Sequence, residues 1–184
     1  MTRPMDKEPT VEPIEPVEPK WDASDPSSSF RRYSEYLHER AKWVFLKDGT
    51  HVELVFAFKP NGERLLSLVS GDRVELVANL RELIRSSDLF GVVHIAEAWT
   101  RVGGKKDYVT QHIMLGETGV ADLRPEDRGE ALMVMMQSRD GQAANWCDPI
   151  VRDADGNRMR SSGFTHCLLR FRPHPCPEPP GSPP

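Results

Sequence analysis

The sequence predicts an α+β domain whose mixed, mainly antiparallel sheet of five to six strands carries two helices on one face. Three observations carry that expectation: two apolar stripes at three- and four-residue spacing, several short alternating runs joined by glycine turns, and proline crowded toward the two ends. Of 16 prolines in 184 residues, only Pro60, Pro125 and Pro149 fall inside 27–172. The expected organisation is an acidic proline-rich disordered tail over 1–27, a single domain over 28–172 and a second disordered proline-rich tail over 173–184. The domain is long enough for one core and short for two.

The first helix is expected over 28–46, where Phe30, Tyr33, Leu37, Ala41 and Val44 recur on one face. Asp25 or one of Ser27 to Ser29 supplies its N-cap, and Gly49 its left-handed end. A strand follows over 51–59, with Val52, Leu54, Phe56 and Phe58 on one side and His51, Glu53 and Lys59 on the other. Asn61-Gly62 suits a tight hairpin turn, and 63–70 returns as the second strand. Asp72 opens a second helix reaching Ser87, with Val74, Leu76, Val77, Leu80, Leu83 and Ile84 apolar. Further strands are expected over 91–102, 130–139, 148–152 and 163–172, with turns at Asp140-Gly141 and Asp155-Gly156. The fourth, with Leu132, Val134 and Met136 opposed by Ala131, Met133 and Met135, is apolar on both faces and should be central.

This order of elements resembles the roadblock/longin and profilin-like group of small scaffolds. The phrases HIAEAW at 94–99 and RGEALMV at 128–134, with Asp140-Gly141, are similar to uncharacterised bacterial and phage proteins to which no function is attached. That resemblance spans the folded middle and implies an accessory protein without naming a chemistry.

Charge and cysteine usage narrow the classes of partner. The net charge is −4, of which residues 1–29 carry −4, residues 173–184 carry −1 and the middle +1. A near-neutral domain without a basic run makes nucleic acid an unlikely partner. No apolar run approaches the length of a membrane span, and the N-terminus lacks a secretory pattern, so a cytoplasmic protein is expected. Cys147, Cys167 and Cys176 form no disulfide framework.

Candidate chemistry is sparse. Glu97 lies on the strand face of Val93, Ile95 and Trp99, where a carboxylate needs a partner or a cleft rim. It is a candidate general acid or base with His94 or His112, and pairing with Arg101 is the structural alternative. His94, His112 and His166 have no metal-ligand spacing, and Cys147, Cys167, His174 and Cys176 lack a Cys-x-x-Cys knuckle, so no metal and no cofactor is expected. The run 153–157 has glycine in fourth place, which suits a turn and not a calcium loop. Nucleophile elbows and phosphate-cradling loops are absent from the sequence.

The long connection over 103–129 stands out, because loops of that length in compact domains commonly carry function. Its Lys105, Lys106, Tyr108, Arg124 and Arg128, together with Trp146, are the expected binding residues, and 108–115 is expected to pair as an extra strand. The leading expectation is a noncatalytic module that binds another protein through this side of the sheet, with homo-oligomerisation left open. The alternative is a small hydrolase-type enzyme centred on Glu97 with a histidine. The acidic repeat EPIEPVEPK at 12–20 reads as an extended polyproline-II spacer, a solubilising tail in preference to a docking motif.

Overall fold

The computed structural model describes residues 14–68, 82, 87–101, 108–114, 117–152 and 158–159. Helix α1 (Pro26–Asp48) is set by its ends. Asp25 accepts from the Ser28 backbone N–H at 3.0 Å, Pro26 takes the first turn, and Gly49 closes the helix with φ 71°. Phe30, Tyr33, Leu37, Ala41 and Phe45 form its buried stripe, so Phe45 takes the place expected for Val44.

The sheet runs β2 (Arg64–Leu68), β1 (Leu54–Phe58), β3 (Gly91–Thr100), β4 (Gly129–Ser138), β5 (Ala143–Arg152), with the two-residue β6 (Arg158–Met159) paired to β5. Every pairing among the described residues is antiparallel, in keeping with the mainly antiparallel sheet of five to six strands expected. Register places Phe56 opposite Val93, Val93 opposite Met136, and Ile95 opposite Val134. These side chains and Leu132 meet the α1 stripe in one core, with Phe30 packed edge-on against Phe58 and Phe90 at centroid distances of 5.4 and 5.7 Å. Gly91 gives Phe30 its room, since a Cβ there would lie 2.5 Å from the ring. β4 is central, as expected, and buries both Ala131 and Leu132 on opposite faces. β1 is also interior to the sheet, and Val55 and Ala57 are buried on the face expected to be polar. Val52 lies outside the strand and is exposed.

Other expectations change. β5 begins at Ala143, five residues before the expected start, because ladder pairing with β4 imposes the strand on a stretch without alternation. Residues 108–115 do not form a strand. Tyr108–Met114 is a short helix, α2, with the Tyr108 ring tilted against His112 at 4.1 Å, the i, i+4 contact that a helix provides. Two single 3-10 turns, Val120–Asp122 and Pro125–Asp127, complete the connection. Of the two helices expected on one face, α1 packs on β3 and β4, and the one expected over 72–87 lies outside the described residues apart from Glu82 and Ser87. The strand expected over 163–172, the turn at 155–156 and the C-terminal tail also lie outside them. No helix among the described residues is long and apolar enough to cross a membrane.

The domain begins earlier than residue 28. Residues 14–25 run along the body as a strap. Trp21 lies 5.7 Å from Phe58 with rings 10° apart, and its indole N–H donates to the Pro60 carbonyl at 3.0 Å. Gly62 has φ 88°, and a Cβ there would lie 2.6 Å from the indole, so turn and strap both require glycine.

Candidate functional site

The expected catalytic residues do not converge. Three positions separate Glu97 from His94 on β3, which puts them on opposite faces of the sheet. Glu97 accepts from the Thr50 hydroxyl at 3.1 Å and from the His51 backbone N–H, and so caps the turn between α1 and β1. His94 Nε2 is 2.7 Å from Glu53. His112 pairs with Glu117 in the connection after α2. Each group is engaged by a different segment. Among the described residues no cluster of three or more His, Cys, Asp or Glu side chains is placed to hold a metal. His166, Cys167, His174 and Cys176 lie outside those residues, and Cys147 forms no disulfide among them.

The expected binding residues fall into two groups. At the loop end of the sheet, the Arg128 guanidinium lies 4.1 Å over the Trp99 ring and donates to the Ala121 carbonyl. Trp99 is 45% exposed and Tyr108 72% exposed. Arg124 is solvated and paired with Glu126 and Asp127 at 3.2 and 2.8 Å. Lys105 and Lys106 lie outside the described residues. Trp146 belongs elsewhere: opposite Val134 in mid-strand, it stacks on His38 at 5.3 Å beneath α1. It is therefore part of the inner layer and not of the loop surface.

That stack exposes a pair which sequence reasoning missed. His38 Nε2 and Asp148 Oδ2 are 2.6 Å apart, with residues 4% and 6% exposed. Glu39 approaches His38 Nδ1 at 3.5 Å. Asp148 borders a cleft of about 50 Å³ with Lys42, Phe45, Leu46, Leu132 and Ile150. Ligand sites generally start at roughly 300 Å³. The geometry therefore fastens α1 to β5, since a buried carboxylate needs a partner and the imidazole supplies it.

At the other end of the sheet, Ser27 donates to Asp140 at 2.6 Å, and Ser138 and Gln142 donate to the same carboxylate. Burial pushes the Asp140 carboxyl up, but hydrogen bonds from Ser138, Ser27 and Gln142 outweigh it and hold the group at about 2. The start of α1 is thereby tied to the β4–β5 turn. No family model, curated protein or solved structure matches the chain.

Proposed function

We propose that the chain is a noncatalytic protein-binding module that meets its partner on the side of the sheet where the 103–129 connection lies. The supporting observation is the Trp99–Arg128 pair, a large aromatic and a cation held together and left partly open to solvent. Trp, Tyr and Arg are the side chains that most often anchor protein interfaces. Tyr108 and Arg124 add to the same connection, and the paired charges around Arg124 suit a polar rim. The enclosed polar groups, His38 with Asp148 above all, are occupied in holding the fold. The setting proposed is cytoplasmic, as an accessory protein, in line with three cysteines whose spacing forms no disulfide framework.

The test replaces Trp99, Tyr108 and Arg124 together with alanine. These side chains are partly or largely exposed, so the melting temperature should move by only a few degrees. Affinity capture from the source cells should lose the partner that the unaltered chain retains. Equal capture by the two proteins would remove the loop side as the interface.

A further inference from the structure

The strap before α1 touches the body at every third residue. Glu15 pairs with Arg40. Glu18 accepts from the Tyr33 hydroxyl at 2.7 Å and from Arg64 at 2.6 Å. Trp21 stacks on Phe58 and donates to the Pro60 carbonyl. Ile14 ahead of these contacts and Val17 between them point away, 91% and 89% exposed. A period of three is that of the polyproline-II helix, and Pro16 and Pro19 directly follow the two glutamates. Each proline fixes φ and removes a donor, so the segment gives up no internal hydrogen bonds and little backbone freedom on docking.

The receiving wall has matching chemistry. Tyr33 and Arg40 come from α1, Phe58 from β1, Pro60 from the turn and Arg64 from β2. The Arg64 guanidinium lies 4.9 Å over the Tyr33 ring, which orients it toward Glu18. Arg40 and Arg64 each read one of two glutamates three residues apart, and the aromatic floor takes the indole. The Glu18 carboxyl is held below the usual range, first by the Tyr33 hydrogen bond and then by Arg64. The ion pairs are partly solvated, so they select more than they hold, and the strap can exchange.

We propose that this wall is a binding site for acidic polyproline-II peptides of the form Glu-Pro-x-Glu-Pro-x-Trp, which the chain's own residues 15–21 fill in cis. A partner segment of that chemistry enters by displacing the strap. The site is separate from the Trp99–Arg128 surface and does not depend on it. Tethering raises the local concentration of the strap to the millimolar range, so a free peptide competes only when abundant or multivalent.

The unaltered full chain, labelled with 5-fluorotryptophan, provides the decisive measurement. A synthetic peptide of residues 12–22 added at a few times 1 mM should shift the Trp21 fluorine resonance and leave Trp99 and Trp146 in place. A Trp21 line that stays fixed would overturn the proposal. In a second arm, the fluorescein-labelled peptide is titrated into the full chain carrying Glu18→Lys and Trp21→Ala. It should bind about a hundredfold tighter than to the unaltered chain, and adding Arg40→Glu and Arg64→Glu should abolish the gain. A cooperatively folded release variant with no gain would reduce the strap to ordinary packing. If that variant does not fold, the fluorine displacement decides alone. A dimer that grows with concentration and vanishes with Trp21→Ala would assign the wall to a second copy's strap and overturn the partner peptide.

Discussion

Helix α1 is fastened on two sides by polar contacts of nearly equal length and very different surroundings. Toward β5, His38 and Asp148 meet at 2.6 Å under Trp146, with almost no exposure. Toward the β1–β2 hairpin, Glu18 meets Arg64 at 2.6 Å and Tyr33 at 2.7 Å with roughly half of the Glu18 and Arg64 side chains in water. Distance alone would rank them together. Solvent separates them, because a group cut off from water has no replacement partner when its own is removed.

The largest effect should follow from breaking the enclosed pair. Asp148→Ala leaves the His38 imidazole buried without its acceptor and should cost about 3 kcal/mol, read as a lower denaturant midpoint with an unchanged slope. Asp148→Asn, which keeps the shape and an acceptor, should lose clearly less. Equal losses would mean that packing of the side chain, and not its polarity, fastens the helix.

Asp148 also shows how a sound rule reached the wrong carboxylate. The rule picks out Glu97, an acid between Ile95 and Trp99 on one strand face, and Asp148 stands between Trp146 and Ile150 in the same way. Glu97 lies toward the open end of β3, beside half-exposed Trp99, and reaches the Thr50–His51 backbone turn. Asp148 lies under α1. Reading the rule together with His38, a polar residue inside the apolar stripe between Leu37 and Ala41, would have pointed to the pair. What hid Asp148 was the late expected start of β5, since Ala143, Ala144 and Asn145 carry no alternation and pair only because β4 lies alongside.

Local patterns were more reliable where turn chemistry and periodicity agreed. The α1 cap, the Asn61-Gly62 hairpin and the central β4 were all legible, because each rests on neighbours in sequence. The α2 segment was not, since a seven-residue apolar–polar run fits helix and strand alike. The strap was misread for a different reason. Its composition is that of a disordered tail, and only its period of three, matched to a wall built by α1 and the hairpin, gives it a place.

A smaller loss is expected from the strap. Trp21→Ala removes a half-buried indole from Phe58 and its bond to Pro60, and should cost about 2 kcal/mol. Removal of residues 1–22 should lower the stability by a similar amount, read as a lower melting temperature. No change would return the strap to the status of a solubilising tail and leave the hairpin side of α1 without a fastening of its own.

The smallest effects belong to the solvated cluster and are best resolved by pH. Arg64→Ala should change stability by no more than about 0.5 kcal/mol at neutral pH. The Tyr33 phenol is pushed up to about 12, first by burial and then by its hydrogen bond to Glu18. Because its folded value lies above the ordinary 10, the native state holds that proton more tightly, so the contribution is complete below pH 10 and is lost as pH rises toward 12. Glu18 has the opposite sign: its value lies below 4.5, so its contribution is present above that pH and disappears as acid protonates the folded carboxylate. Tyr33→Phe removes the hydroxyl from both limbs. The denaturant midpoint of this variant should fall less steeply than that of the unaltered chain above pH 10, and its acid limb should move to higher pH as Glu18 loses its strongest hydrogen bond. Parallel curves for the two proteins would show that the strap does not engage Tyr33 in solution. The comparison between the two fastenings of α1 would then rest on Trp21 alone.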